Sequence, residues 1–357
     1  MQGKIGGVKR KTIYFTAPRQ VEIREETLPV LGADEVLVET TCSAISAGTE
    51  MMIYHNRFPR DLEADSVIPS LRGGFEYPLA YGYAAAGRVV EVGNKVNTDW
   101  LKKEVFSFQP HTSHFITTPD SLFPIPKTLT PETACFLPNM ETAVNLVQDA
   151  APIIGERALI LGQGVVGLLT ASLLKEFPLE ILVTSDCYEL RRKASREIGV
   201  NESFDSISPE ENSSNQISLN QKPSQQHQSG YTQNFDLSFE LTGSPAALDD
   251  AIALTTFSGR VVIGSWYGEK RAEVDLGGAF HRSRIKLISS QVSTIAPELS
   301  GRWDKARRFE VAWEALKRIQ PQKWITHRFP IEKADKAYQL LDESQQETIQ
   351  VIIEYPK

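Results

Sequence analysis

Gly162-Gln163-Gly164-Val165-Val166-Gly167 is the stretch whose residue types and spacing point most directly to chemistry. Glycines at G-x-G-x-x-G spacing let a strand turn tightly into a helix and let backbone approach a pyrophosphate. They also let the helix pack closely on its sheet. The helix N-terminus then attracts the phosphate charge. A glycine-rich turn can be merely structural, but the surroundings here decide otherwise. Arg157–Leu161 reads as an apolar strand before the turn, and an apolar helix runs from Val165 to about Lys175. Asp186 follows nineteen residues after Gly167, at the end of a second apolar strand, Glu180–Ser185. A carboxylate placed there bonds the two hydroxyls of a ribose. The reading is a dinucleotide site, with Asp186 disfavouring a 2′-phosphate and so favouring NAD(H). Arg191 and Arg192 follow closely. They read first as a solvated helix face, and as neutralisers of a 2′-phosphate if the cofactor is NADP(H).

The elements that must hold this site are legible around it. From Thr12 to about Asn145 the chain reads as short strands, Thr12–Phe15, Val21–Arg24, Glu35–Thr40 and Gly87–Val92, with Pro or Gly between them. Beyond Arg157, strand and helix alternate. Glu189–Ile198 is a charged amphipathic helix stopped by Gly199, and Asp236–Leu241 and Arg260–Ser265 are buried strands flanking a helix from Pro245 to about Phe257. Such alternation predicts an α/β fold with a parallel sheet covered on both faces. Residues 206–233 are dominated by Ser, Gln, Asn, Pro and Glu, too poor in apolar groups to offset their ordering entropy, and are expected to form a flexible surface insertion.

Bulk properties exclude several classes. A net charge of −7 argues against a nucleic-acid binder. No apolar run approaches the roughly 18 residues of a membrane span, and no signal peptide follows the basic start, so a cytoplasmic protein is expected. Cys42, Cys135 and Cys187 are odd in number and far apart in sequence. They form neither a disulfide framework nor a Cys-x-x-Cys metal knuckle, and read as small buried or incidental residues.

Nearly the whole chain resembles the medium-chain dehydrogenase/reductase family. "VETTCSAISAGTE" (Val38–Glu50) is similar to its strand and G-I-C-G-T-D turn, and "YPLAYGYAAAGRVVEVG" (Tyr77–Gly93) to its P-x-x-x-G-H-E-x-x-G-x-V-x-x-V-G segment. "GERALILGQGVVGLLTASLLK", "FELTGSPAALDDAI" and "GRVVIGS" resemble its nucleotide-binding strands. The resemblance implies a GroES-like β-rich catalytic domain from 1–144 and 292–357, and a Rossmann doubly wound parallel sheet from 145–291. Cofactor and small-molecule substrate would meet in a cleft between the two. It also implies cofactor contacts from Thr142, Leu241, Thr242, Gly264 and Ser265, and a homodimer assisted by the apolar strand Ile285–Val292. Within the family, the S-A-G-T-E turn, the G-Y pair and "SSQVSTIAPELSGRWDKARR" (Ser289–Arg308) look most like bacteriochlorophyllide dehydrogenase-like members.

The departures from the family bear on mechanism. At the catalytic zinc ligands of metal-dependent members this chain offers Ala47 (or Ser46 if the turn shifts by one), Tyr83 and Asn139. The acid beside the histidine is replaced by Ala84. The four-cysteine structural lobe is missing, since no cysteine lies between Asn94 and Pro126. Neither metal is expected. Hydride transfer without a Lewis acid needs hydrogen bonds for the developing oxyanion. Thr49 stands where the family places its proton-relay hydroxyl, and Tyr83 where a zinc ligand would face substrate. The expectation is that Tyr83 and Thr49 polarise a carbonyl and Glu50 orients them; the plain alternatives are an aromatic filling vacated metal space and a structural carboxylate. His111 and His114 form an H-x-x-H that reads first as a surface or cleft-lining pair rather than a metal site, with an acid/base role for one of them as the alternative. Arg57, Arg60 and Arg72 read as a solvated loop, or as recognition of an acidic substrate. Three functions stay open on sequence: alcohol/carbonyl oxidoreduction, NADPH-dependent reduction of an activated C=C bond or quinone, and non-catalytic dinucleotide binding.

Overall fold

Alternating burial generates the first strands. In β5 (Ala85–Val92) exposed Arg88 is followed by buried Val89 and exposed Val90, while β3 (Val36–Ala44) is buried along most of its length. The computed structural model describes residues 7, 9–59, 74–205 and 235–356. The expected insertion at 206–233, and Arg60 and Arg72, lie outside the described residues.

Two compact units divide the chain, Met1–Pro138 with Trp313–Lys357, and Asn139–Ala312. The first begins with β1 (Lys9–Ala17), β2 (Gln20–Thr27), β3, α1 (Ala47–Tyr54), β4 (Leu79–Ala80) and β5. It continues with β6 (Glu104–Ser107), β7 (His114–Thr117), β8 (Phe123–Pro124) and α2 (Pro131–Ala134). The second contains α3 (Leu137–Ala150, from Asn139 on), β9 (Arg157–Leu161), α4 (Val165–Leu174), β10 (Ile181–Ser185), α5 (Glu189–Ile198) and β11 (Glu202–Phe204). After these come β12 (Phe235–Glu240), α6 (Ala247–Leu254), β13 (Thr255–Ile263), α7 (Ala279–Arg282), β14 (Lys286–Ser289) and the start of α8 (Lys305–Ile319). The chain returns to the first unit with β15 (Ile325–Pro330), α9 (Ala334–Glu343) and β16 (Gln350–Glu354).

In the first unit the strands order as β15-β16-β3-β5-β6-β8, with β7 also on β3, beside a three-stranded sheet β2-β1-β4. One apolar core joins Ile13 and Phe15 of β1 to Met51–Tyr54 of α1 and to Ala334, Ala337, Tyr338 and Leu341 of α9. Tyr338 stacks on Tyr54 at 5.7 Å and meets Phe15 edge-on at 5.1 Å, which presses α9 against α1.

The second unit is a six-stranded sheet in the order β11-β10-β9-β12-β13-β14, every pairing parallel. The order of its successive strands, 3-2-1-4-5-6, is that of a dinucleotide-binding doubly wound sheet. The expected α/β class is therefore the observed one. The helix expected from Pro245 to about Phe257 stops at Leu254, because Thr255 already pairs with Phe235 of β12 and Ser258 turns at φ +59°. The apolar strand expected over Ile285–Val292 shortens to β14.

The second unit ends at Ala312, whereas the sequence reading set its end at residue 291. Arg308, on α8, explains the difference. Its guanidinium is fully buried and uses all five of its N–H groups. Nε and Nη2 donate to Glu141 Oε1 at 3.1 and 2.8 Å, Nη1 to Asn145 Oδ1 at 2.5 Å and to Thr294 O at 3.0 Å, and Nη2 also to Val292 O. Segment 292–308 is thereby tied to α3. Arg308→Met leaves buried Glu141 with Lys305 as its remaining ion-pair partner. The expected cost is about 3–5 kcal/mol, read as a lower urea midpoint. An unchanged midpoint contradicts the clamp.

Candidate functional site

The glycine turn is built as its spacing implies. Gly162 adopts φ +92°, and a Cβ there would lie 2.6 Å from Leu241 O, so the strand turns under β12 only with glycine. A Cβ on Gly167 would lie 2.0 Å from Gly162 O, which brings α4 directly onto the turn. Gly164 is the N-cap of α4, and a Cβ on it would meet nothing within 4 Å. The helix N-terminus is therefore open at Gly164, Val165 and Val166, as a phosphate requires. Gln163 is fully buried. Its main-chain N–H goes to Asp186 Oδ2 at 2.7 Å and its side-chain Nε2 to Gly162 O at 3.0 Å, which ties it to the turn, while its Oε1 is buried without a hydrogen-bond partner among the described residues.

Asp186 stands one residue past β10 and is 4% exposed. Oδ2 accepts from Gln163 and Oδ1 accepts the Tyr188 N–H at 2.8 Å. A carboxylate has about four acceptor positions, so others remain for ribose hydroxyls. Arg191 lies 3.9 Å from Asp186 Oδ2, with its guanidinium over the Tyr188 ring at 4.8 Å. Arg192 donates to Asp186 O at 2.8 Å and pairs with Asp205 at 2.7 Å and Glu189 at 3.0 Å. It is more than the solvated helix residue expected, since it closes the end of β10.

Leu241 and Thr242 follow β12, and Gly264 and Ser265 follow β13. The parallel pairing of these strands sets the four residues side by side. A residue missed on sequence organises them. Glu240 is fully buried and accepts from Thr242 N at 2.8 Å, Thr242 Oγ1 at 2.5 Å and Tyr267 OH at 2.5 Å, while its main-chain O accepts from Gly264 N at 3.1 Å. Burial and the Glu240 charge together push the Tyr267 phenol well above its ordinary range. Ser265 Oγ accepts the Gly243 N–H at 2.8 Å. Thr142 is half-buried on α3.

In the first unit, Thr49 and Glu50 lie on α1 and Tyr83 lies just before β5. Tyr83 OH donates to Ser46 Oγ, and Thr49 Oγ1 lies 3.4 Å from the same phenol oxygen. Ser46 caps α1 without using its side chain on the helix, which leaves its hydroxyl for Tyr83. Glu50 has no exposed surface. Oε1 accepts Ser46 N–H at 2.8 Å, and Oε2 accepts Tyr338 OH at 2.6 Å and lies 3.0 Å from His111 Nε2. Burial and that carboxylate raise the Tyr338 phenol well above its usual range. His111 Nδ1 is 2.6 Å from Ser43 Oγ, which is 2.8 Å from Tyr355 OH. The expectation of a surface or cleft-lining histidine pair is thus corrected: His111 is fully buried, because both ring nitrogens find partners, Glu50 and Ser43, inside the unit. His114 is half-buried on β7 and turned to Ser113 Oγ at 3.1 Å, and burial lowers its basicity. Arg57 is exposed after α1.

These residues do not fit a zinc centre. Ala47 has no donor atom, the Tyr83 phenol is engaged with Ser46, and both oxygens of Glu50 are already bonded. Among the described residues no three His, Cys, Asp or Glu side chains converge. Cys42 and Cys135, remote in sequence, are buried with Sγ atoms 3.7 Å apart, but lack a further ligand, and burial pushes the Cys135 thiol upward. The nucleotide turn, by contrast, fits a dinucleotide.

A doubly wound parallel sheet in one unit and a β-rich fold in the other are a fold that comparison with known proteins finds in dehydrogenases. L-threonine 3-dehydrogenase of Stenotrophomonas maltophilia (strain K279a) is 22% identical over 352 residues, covering 92% of this chain and 94% of that protein. Sorbitol dehydrogenase of Mus musculus is 20% identical, covering 92% and 91%. Among solved structures, the rspB alcohol dehydrogenase of Escherichia coli CFT073, complexed with NADH, superposes with a TM-score of 0.73 at 18% identity, covering 98% of this chain and 100% of that one. A protein of Sinorhizobium meliloti 1021 named as a zinc-binding dehydrogenase and bound to NADP gives 0.70 at 16%, covering 97% and 99%. No family model matches the chain. None of these four is a bacteriochlorophyllide dehydrogenase, so that narrower likeness rests on the motifs alone.

Asp186→Asn keeps the size of the side chain and removes its charge. It is expected to weaken NADH binding by about 1.5–3 kcal/mol, roughly ten- to hundred-fold in Kd, in a nicotinamide-fluorescence titration. An unaltered Kd removes Asp186 from the site.

Proposed function

We propose that this chain is a nicotinamide-dependent medium-chain dehydrogenase/reductase that moves a hydride between NAD(H) and the alcohol or carbonyl carbon of a small molecule without zinc. The observation that carries this reading is the Tyr83 phenol, held by Ser46 and Thr49 where the family resemblance places a metal ligand. The reduced nicotinamide, when bound, supplies the hydride. Gly164, Val165 and Val166 hold the pyrophosphate at the open end of α4, and Asp186 takes the ribose. Thr142, Leu241, Thr242, Gly264 and Ser265 complete the cofactor contacts.

In the reducing direction the carbonyl carbon gains the hydride and its oxygen gains a proton. Tyr83 turns its O–H from Ser46 to that oxygen, and its proton stabilises the developing alkoxide. Ser46 and Thr49 hold the phenol oxygen, and their hydroxyls relay to it a proton taken up from water, so that the phenol is restored. In the oxidising direction the same hydroxyls receive the proton as the hydride leaves. Glu50 acts through the backbone: by accepting Ser46 N–H it fixes the turn that carries these hydroxyls. Asp186 supports NAD(H) over NADP(H), since its carboxylate opposes a 2′-phosphate. That preference separates this reading from an NADPH-dependent reduction of an activated C=C bond or quinone.

The test is a panel of secondary alcohols, vicinal diols, their carbonyl counterparts and enones, offered with NADH and NADPH. Turnover of an alcohol/carbonyl pair with NADH is expected. Tyr83→Phe should lower kcat by about 10²-fold with little change in KM, the size of one lost oxyanion donor. Turnover of enones alone with NADPH supports the C=C reductase. Cofactor binding without turnover of any member supports a binding protein.

A further inference from the structure

A fully buried imidazole and a fully buried carboxylate, contributed from 61 residues apart, lie directly beneath the hydroxyls of the proposed site. We infer that His111 is a positioning residue for the alcohol/carbonyl reaction: it joins the two segments that carry Tyr83 and Thr49 and replaces a metal as their common anchor. The inference rests on the reading of Tyr83 given above.

Three contacts define the role. On one side, His111 Nε2 meets Glu50 Oε2, and the other oxygen of Glu50 holds the Ser46 N–H at the start of α1. The same edge of the ring packs under Gly82. A Cβ there would lie 2.7 Å from the ring, and Gly82 has φ +123°, so this glycine admits the imidazole and sets the direction of the next residue, Tyr83. The third contact is Nδ1 with Ser43 Oγ on β3. The main chain holds the position as well, through His111 N to Tyr81 O at 3.2 Å and Ile13 N to His111 O at 3.0 Å. The imidazole therefore spans the gap between α1, which carries Ser46 and Thr49, and the Tyr81–Tyr83 segment. It also gives the buried Glu50 carboxylate an N–H that burial makes obligatory. A residue that only filled space would need neither nitrogen.

Two substitutions of similar polarity separate these roles. Gln at 111 places its amide near the position of Nε2 and can still donate to Glu50. Asn reaches only the position of Nδ1, toward Ser43. NADH binding at the turn of the other unit should be unchanged in both variants and reports the cofactor site, while a retained near-UV circular dichroism spectrum reports the fold of the unit that carries His111. With the panel carbonyl that the wild type reduces fastest, His111→Asn is expected to lower kcat about 10²-fold at nearly constant KM, and His111→Gln less than ten-fold. In a double-mutant cycle, His111→Asn added to Tyr83→Phe should cost little more than Tyr83→Phe alone. A reading independent of turnover is the 19F resonance of 3-fluorotyrosine at position 83, assigned by its loss in Tyr83→Phe. It should shift or broaden in His111→Asn and stay in place in His111→Gln. Equal effects of Asn and Gln, or losses that multiply with Tyr83→Phe, overturn the role of His111 while leaving Tyr83 intact. A silent Tyr83→Phe overturns the reading of the site itself.

Discussion

A carboxylate with no exposed surface has to be fully bonded or it will not stay charged, and Glu50 imposes that condition on the first unit. Its needs are met from three directions, the start of α1, α9 through Tyr338, and the His111 segment, and His111 is in turn held by Ser43 of β3. An unmet hydrogen bond on a buried charge costs more than a typical hydrogen bond contributes, so these partners are constrained together. The aromatic packing of Tyr338 on Tyr54 and Phe15 belongs to the same arrangement, because it brings the phenol to Oε2. The hydroxyls of Ser46, Thr49 and Tyr83 stand on the surface of this network and inherit its rigidity.

The second unit obeys a different constraint, that of close backbone approach. Gly162 passes beneath Leu241, and Gly167 sets α4 against the turn, with no room for a Cβ at either position. Asp186 then accepts the Gln163 N–H, so the carboxylate proposed for the ribose and the turn proposed for the phosphates are parts of one structure. Glu240 does the same across β12 and β13 by holding Thr242, Tyr267 and Gly264. In both units a buried carboxylate organises the residues to which chemistry is assigned.

How much of this was legible in the sequence follows from the range of each interaction. The nucleotide turn, Asp186 and the alternation of β9, α4, β10 and α5 depend on neighbours within about one turn or strand, and glycine spacing and apolar runs record such relations directly. Helix α5 matches its expected span, Glu189–Ile198, because Gly199 ends it in the left-handed region. Helix α6 ends before its expected stop because Thr255 pairs with Phe235 of β12, and strand pairing, not helical period, decides there. His111 was noticed for its spacing to His114, but its partners Glu50, Ser43 and, through them, Tyr338 and Tyr355 are separated by up to hundreds of residues. No local pattern announces such a contact. Cys42 and Cys135 likewise adjoin only through the fold, and the reach of the second unit to Ala312 depends on the long-range clamp of Arg308.

The central claim is that hydroxyl groups on a buried Glu50–His111 support stand in for a metal. The most direct measurement is the rate of carbonyl reduction by NADH in protein treated with a strong chelator, its zinc content verified by mass spectrometry, before and after zinc is added back. An unchanged rate through both steps is the predicted result. Loss of turnover on chelation with recovery on stoichiometric zinc would contradict it.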